Sequence, residues 1–179
     1  MWQIANPKPA KLLVGILACD EQVLHEAVKV IEKQFGAIDL ASQTWLFDST
    51  GYYAEQTGPN IIKQFVSIEQ LVDPGKLAPI KLKTNRLEQQ LARKTGTPYP
   101  RPVNIDPGLI EPSKLILAST KNYSHRIYIA KGIYAEVTLC YKKGCWQSLE
   151  YTYPDYAADT YHDFLTQVRT KLVEQLRTI

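Results

Sequence analysis

The pattern of apolar and polar positions predicts a strand followed by a helix near the start of the chain. Residues 11–19 are almost all apolar, which is typical of a short strand that is buried on both faces. In residues 23–35 apolar side chains recur at helical spacing. Asp20 precedes them as an N-cap, and Gly36 follows where a helix needs a left-handed residue to end. The order indicates a crossover toward a second strand.

Two further strands and a second helix are predicted in the middle of the chain. Residues 44–48 and 61–71 favour strands, and residues 79–94 favour a helix with Pro79 at its first position. The alternative for this last segment is a short strand followed by a helix that Asn85 and Glu88 begin as a capping box. The loop between the two strands contains Tyr52 and Tyr53.

The next segment is harder to interpret. Residues 103–105 favour a short strand, and Asp106-Pro107-Gly108 has the composition of a turn. Residues 113–121 are largely apolar without a clear period, and we favour a helix there.

The last third of the chain predicts an antiparallel meander and a terminal helix. Residues 125–130, 133–142 and 145–150 favour three strands, joined by two-residue turns at Lys131-Gly132 and Lys143-Gly144. Asp159 then stands as the N-cap of a helix whose apolar stripe runs to Leu176.

These elements together predict an α+β fold in a single domain, residues 1–179. The first six match a ferredoxin-like βαββαβ core, and the meander and the terminal helix follow it. We expect the helices to cover one face of a mostly antiparallel sheet.

Composition narrows the classes of function. Hydrophobic residues make up 45% of the chain and charged residues 22%, as in ordinary globular proteins, and the net charge of +3 is small for a dedicated nucleic-acid binder. Cys19, Cys140 and Cys145 lack metal-site spacing, so we expect free thiols in the cytoplasm and no metal. No run of residues is long and apolar enough to predict a signal peptide or a membrane span.

Familiar catalytic motifs are absent from the sequence. There is no GxxxxGK[ST] phosphate loop, no GxGxxG, no GxSxG nucleophile elbow and no HExxH metal motif. No reaction and no cofactor follow from a motif, so candidate residues have to come from geometry.

The predicted meander places one histidine beside a carboxylate. If Ala130 pairs with Ile133, then Ile127 lies opposite Glu136, and His125 lies diagonally from Glu136 on the same face. Such a pair suits general acid–base chemistry, although a structural ion pair on a solvated face has the same pattern. Arg126 points to the opposite face in this register. With Asp106, in the Pro-rich loop, the predicted catalytic residues are Asp106, His125 and Glu136.

Cationic and amide side chains provide candidate ligand contacts. Cations near a helix start or in a Pro-rich loop are typical of phosphate sites, although Lys81, Lys83 and Lys114 also suit a solvated helix face. Tyr123 belongs to a larger set of tyrosines in loops and at strand ends that could stack on a base or simply border the core. The predicted ligand-binding residues are Lys83, Asn85, Arg101, Asn104, Lys121, Tyr123 and Arg126.

Several long segments resemble the bacterial family called domain of unknown function 4416. They are PKPAKLLVGIL, IKLKTNRLE, PVNIDPG, LILASTKNYSHRIYIAKGIYAEVTLCYKKG and YTYPDY, and the likeness runs from about Pro7 to the terminal helix. The resemblance implies a bacterial cytosolic protein of one domain. It assigns no catalytic residue.

Three functions follow from the sequence as hypotheses. The first is an enzyme or sensor for a phosphate-bearing small molecule, with nucleotides among the candidates. The second is an RNA-binding module, although the aromatic signature of the common RNA-binding sheet is missing. The third is a protein-interaction domain that uses an exposed sheet edge. The oligomeric state stays open.

Overall fold

The computed structural model describes residues 2–47 and 54–178. Asp48, Tyr52 and Tyr53, which entered the predictions above, lie outside these residues. The helices are α1 (Glu21–Phe35), α2 (Ala54–Thr57), α3 (Leu77–Lys94), α4 (Pro154–Ala157) and α5 (His162–Leu176). The strands are β1 (Lys11–Ala18), β2 (Ile38–Ala41), β3 (Trp45–Leu46), β4 (Ile62–Ile68), β5 (Val103–Glu111), β6 (Lys114–Ser119), β7 (Ile127–Ala130), β8 (Ile133–Lys142) and β9 (Cys145–Ser148).

The described strands form one sheet in the order β2-β4-β1-β5-β6-β8-β7, with β3 beside β4 and β9 beside β8. Each described pair of neighbours is antiparallel. The predicted α+β class with a large antiparallel sheet is therefore confirmed. In the described part of the chain, no helix is both long and apolar enough to span a lipid bilayer.

Helices cover both faces of this sheet, which corrects the prediction that they cover one face. Helices α1 and α3 pack on one face, against residues such as Leu12 and Ile16 of β1. Helix α5 packs on the other face, against Leu13 and Phe65. All eight residues of β1 are therefore buried, which explains why the strand is apolar throughout after Lys11.

The predicted start of the chain is confirmed in detail. Asp20 accepts a hydrogen bond from the backbone N–H of Val23 at 2.7 Å and caps α1. Gly36 ends the helix at φ 104°, a conformation that side-chain-bearing residues rarely adopt. Helix α3 is also confirmed, so the alternative of a short strand followed by a capping box at Asn85 is wrong.

Two predictions in the middle of the chain are wrong. Asp106, Pro107 and Gly108 form no turn but lie inside β5, since the whole strand pairs with β1 from Lys11–Ile110 to Ala18–Val103. The favoured helix over residues 113–121 is instead β6, in which Leu115 and Leu117 are buried on one face. Tertiary pairing decides both cases, because each segment is too short for its own period to show. Strand β2 was not predicted at all.

The meander is confirmed, but its register shifts by one residue. Ala130 pairs with Ile133 as predicted, and a bulge follows, so that Ile127 lies opposite Ala135 rather than Glu136. Strand β7 begins only at Ile127, which leaves His125 and Arg126 in the preceding loop. Both turns have positive φ at Lys and Gly, as two-residue hairpin turns require.

The terminal helix is confirmed, but its predicted cap is wrong. Asp159 begins a 3₁₀ turn that ends at Tyr161, and α5 starts at His162 without a side-chain cap. Packing of Phe164, Leu165, Val168 and Leu172 against the sheet holds the helix instead.

Candidate functional site

The sheet opens between β5 and β6, and this opening creates the main cavity. The two strands pair only from Gly108–Leu117 to Glu111–Lys114. Before Gly108 comes Pro107, which has no N–H to donate, and the first half of β5 stays paired with β1 alone among the described strands. A Cβ on Gly108 would lie 2.7 Å from the carbonyl oxygen of Ile116, so glycine permits the close approach at which the strands begin to diverge.

The cavity has a volume of about 660 Å³, which suits a small organic molecule. Gly15 and Leu17 of β1 lie on its wall, and α3 reaches it from the other side of the sheet, where β5 and β6 are apart. Among the described residues, its charged lining is balanced: Lys63, Lys81, Glu88, Arg101, Asp106, Lys121, Glu136 and Asp155.

One wall is a chain of paired polar groups between α3 and β5. Lys81 Nζ donates to Asp106 Oδ1 at 2.8 Å and to the carbonyl oxygen of Ile105 at 3.2 Å. Asn104 donates to the other oxygen of Asp106 and accepts from Arg101, whose guanidinium also donates to Glu88 at 2.9 Å. The wall therefore holds its carboxylates and cations in fixed positions before any ligand arrives.

The two carboxyl groups of this wall differ in acidity. Burial raises the pKa of Glu88, and Lys81 and Arg101 offset this only in part. Burial also favours a higher pKa for Asp106, but Lys81, Asn104 and Arg101 outweigh burial and lower the pKa of Asp106 below its usual value. Asp106 is thus ionised, and about a third of its side chain (36%) is exposed, so it can accept a hydrogen bond from a ligand.

The opposite wall is built around Glu136, whose side chain is almost fully buried. Its Oε2 accepts from Arg126 Nε at 2.7 Å and lies 3.1 Å from His125 Nε2. The predicted proximity of His125 and Glu136 is present, but Arg126 does not point away as predicted. Since both residues lie in the loop before β7, both reach the same carboxylate.

Aromatic rings hold this wall in place. The His125 ring lies between Tyr151, at a centroid distance of 4.3 Å, and Tyr123, at 6.0 Å, with nearly parallel planes. The Arg126 guanidinium lies 4.7 Å from the centre of the Tyr123 ring and donates to the Tyr153 hydroxyl. The stack fixes the imidazole orientation and leaves Tyr123 at the mouth of the cavity.

The floor of the cavity contains a lysine enclosed by aromatic rings. Lys63 of β4 forms an ion pair with Asp155 of α4. Its Nζ lies 4.2 Å from the ring centre of Tyr156 and 4.8 Å from that of Tyr161. The side chains of Lys63 and Asp155 are both buried, with 6% and 8% of their surface exposed.

Seven of the ten predicted site residues line this one cavity, although they come from separate parts of the chain. They are Asn85, Arg101, Asn104, Asp106, Lys121, Tyr123 and Glu136. Of the other three, His125 and Arg126 contact Glu136 from behind. Lys83 is exposed on α3 and does not reach the lining.

Several lining residues were not predicted. Lys81 looked like a solvated helix residue but is buried at the wall, and Glu88 lies one turn beyond Asn85 on the same helix. One signal in the sequence could have identified them. Lys81, Asn85 and Glu88 are spaced at i, i+4 and i+7, which places all three on one face of a helix. Lys63 and Asp155 are 92 residues apart, and no local pattern joins them.

Metal and thiol chemistry receive no support from the described residues. Among residues 2–47 and 54–178, no group of three or more His, Cys, Asp and Glu side chains is arranged to hold a metal ion. Cys19, Cys140 and Cys145 are free thiols. Burial and the adjacent Asp20 raise the pKa of Cys19 to about 11, which makes it a poor nucleophile.

Comparison with known proteins gives one positive result. No curated protein and no solved structure matches the chain. The family model described as Domain of unknown function (DUF4416) matches residues 8–172, which is most of the chain. The chain therefore belongs to the DUF4416 family.

Proposed function

We propose that the cavity binds, and acts on, a small molecule that carries a phosphate group. Cations reach it from four separate elements: Lys63 from β4, Lys81 from α3, Arg101 from the loop before β5 and Lys121 from the loop after β6. This convergence on one concave, pre-formed site is the observation on which the proposal depends. Arg101 and Lys121 are the phosphate partners we favour, because both are more accessible than Lys63 and Lys81.

The carboxylates of the lining do not oppose an anion. Glu88 and Asp106 lie beside Arg101 and Lys81, and Arg126 adds a further positive charge directly behind Glu136. Each of these negative charges is therefore compensated before the ligand binds. A phosphate held by Arg101 and Lys121 therefore meets carboxylates whose charge is already offset.

Acid–base chemistry is part of the proposal. Asp106, ionised and partly open to the cavity, is the proton acceptor. Glu136, which lines the opposite wall, is the acid–base candidate there, and His125 contacts it from behind. Nucleotides are included because Tyr123 presents a half-exposed ring on which a base can stack.

Thermal unfolding with matched pairs of compounds tests the proposal. Nucleotides and sugar phosphates are compared with the same compounds lacking phosphate. A phosphorylated ligand at a hundredfold its Kd should stabilise the fold by about 2.7 kcal/mol. Lys121→Ala should weaken the effect, and Lys83→Ala, an exposed lysine that does not line the cavity, should leave it unchanged. Equal or absent shifts for both members of every pair would refute a phosphate ligand.

A second candidate function is self-association through β7. This strand ends the sheet order, and Ile127 and Tyr128 are 72% and 58% exposed. Among the described residues, no strand pairs with its outer edge, so the edge of a second copy fits there. Light scattering over a range of concentrations tests this, and a monomer throughout would rule it out.

The finer fold assignment is also a proposal. We infer a ferredoxin-like core, supported by the order β2-β4-β1-β5, by its antiparallel pairing and by α1 and α3 on one face. A cytoplasmic location is supported by the three free thiols.

A further inference from the structure

We propose that Lys63 is an amine nucleophile that forms a Schiff base with a carbonyl group of the ligand in the cavity. The inference rests on the proposed function in one respect, because it takes the cavity as a ligand site. It adds the substrate class, an aldehyde or ketone that also carries phosphate.

The position of Lys63 supports this role. The residue is 4% exposed, yet it lies on the cavity wall beside Gly15 and Leu17. Lys63 pairs with Leu17 across β1 and β4, and Gly15 pairs with Phe65 in the same register. A Cβ on Gly15 would lie 3.1 Å from the Phe65 ring and 3.4 Å from the Tyr156 hydroxyl oxygen. Glycine therefore lets Phe65 and Tyr156 pack close to β1, which places these rings beside the lysine.

The partners of Lys63 are those of a reactive amine rather than of a structural cation. In residues 2–47 and 54–178 its Nζ has one hydrogen-bond acceptor, Asp155, and its other sides face aromatic rings. By comparison, Lys81 has two acceptors. Burial lowers the pKa of Lys63 although Asp155 and Asp106 raise it, so the neutral amine is more accessible than on a surface lysine.

The reaction balances with the groups present. The Lys63 ammonium passes a proton to Asp155, and the free amine attacks the carbonyl carbon to give a carbinolamine. The nitrogen loses a further proton to the former carbonyl oxygen, Asp155 returns its proton to that oxygen, and water leaves. The product is a C=N iminium that carries one positive charge, as the ammonium did. Asp155 and the ring faces of Tyr156 and Tyr161 therefore stabilise the product as they stabilise the free lysine.

Reductive trapping in the intact wild-type chain tests the proposal. Pyridoxal 5′-phosphate, a phosphate-bearing aldehyde, is added below one equivalent, and borohydride reduces any C=N bond to a stable secondary amine. Peptide mass mapping then gives the rate at which each lysine is labelled. We expect Lys63 to be labelled at least tenfold faster than exposed lysines such as Lys83 and Lys143. If labelling instead follows exposure, with Lys63 among the slowest, the proposal is wrong.

The dependence of the labelling rate on pH gives a second measurement. The labelling rate of Lys63 should level off at a lower pH than that of Lys83, because burial lowers the pKa of its amine and outweighs Asp155 and Asp106, which raise it. The rings of Tyr156 and Tyr161 also face this amine. Identical profiles for the two lysines would contradict an activated amine. Lys63→Arg keeps the charge and should abolish the fast labelling, and Lys83→Arg is the matched control.

Two comparisons separate this proposal from the proposed function. If pyridoxal labels Lys63 as fast as its 5′-phosphate and inorganic phosphate does not compete, the carbonyl chemistry stands and the phosphate ligand is wrong. If phosphorylated compounds stabilise the fold but Lys63 is not labelled preferentially, the phosphate site stands and the Schiff base is wrong.

Discussion

Among the described residues, three buried lysines pair with aspartates: Lys11, Lys63 and Lys81. The surroundings of Lys11 and Lys63 differ. Lys11 of β1 is fully buried and donates to Asp39, to the carbonyl oxygen of Glu69 at 3.1 Å and to Gln175 Oε1 at 2.8 Å. Lys63, at the cavity, donates to Asp155 and otherwise faces rings. At the first site each direction of the ammonium has a polar acceptor. At the second site most do not.

The difference separates a lysine that holds structure from one that is available for chemistry. Lys11 joins β1 to β2, to the residue after β4 and to the end of α5, so its three acceptors fix four segments relative to one another. Lys63 joins only β4 and α4 and has open space beside it. Burial and charge alone would not distinguish the two. The number of acceptors and the neighbouring cavity do.

Among the tests of this comparison, Lys11→Met should cause the largest loss of stability. Within the part of the chain that the structure describes, it leaves Asp39 buried with Lys171, 3.5 Å away, as its remaining cation. We expect the free energy of unfolding to fall by about 3–5 kcal/mol, as when one member of a buried ion pair is removed. Urea denaturation measures it. Lys29→Met, which removes a surface ion pair with Glu26, is the control and should cost less than about 0.5 kcal/mol.

Lys63→Met should cost less, about 1–3 kcal/mol in the same measurement. The Met side chain keeps contact with the surrounding rings, and Asp155 lines the cavity, where it can be hydrated. A loss larger than that of Lys11→Met would break the comparison, because it would make Lys63 the more important structural lysine.

The dependence of the free energy of unfolding on pH in the acid range tests the role of Asp39, the partner of Lys11. Burial opposes ionisation there, but Lys11, Ser67 and Lys171 more than compensate, so the pKa of Asp39 lies below its usual value. A carboxyl with a depressed pKa stabilises the fold above its unfolded pKa, near 4, and the contribution is lost as the pH falls through the folded value. Asp39→Asn should therefore flatten the decline of stability below about pH 4 relative to wild type. Parallel curves would mean that Asp39 is not a stabilising charge.

The smallest expected change in stability is that of Asn85→Ala at the cavity wall. This half-buried side chain lines the cavity, so the free energy of unfolding should change by less than about 0.5 kcal/mol. Loss of one hydrogen bond of about 1 kcal/mol should weaken binding of the phosphorylated ligand roughly fivefold, measured by titration calorimetry. Arg86→Ala, an exposed neighbour that does not line the cavity, should change neither quantity.

Much of the fold could be predicted from the sequence, because its long elements carry their own period. Helix α1 with its Asp20 cap and the hairpin turns at Gly132 and Gly144 are local features. Strands β2 and β6 are short, and pairing with distant strands decides them. The bulge that shifts Ile127 by one residue also depends on the partner strand, since the turn alone allows the unshifted register.

The site was partly predictable for the same reason. Polar residues within one segment, such as Arg101, Asn104 and Asp106, stand out where a loop meets a strand. Lys63 and Asp155 do not, because each is a single charge in an otherwise ordinary segment and they meet only after β4 and α4 pack together. Sequence patterns identify groups that are close along the chain, and packing supplies the rest.

The point where β5 and β6 part, beside Gly108, sets the dimensions of the cavity. Since the opening lies inside the sheet rather than among surface loops, its length depends on how many residues of β5 remain unpaired with β6. Moving the last shared pair by one residue would lengthen or shorten the opening by about 3.3 Å, roughly the spacing between two atoms in van der Waals contact. A shift of that one boundary would therefore change the length of ligand that fits, while the packed layers around it stay the same.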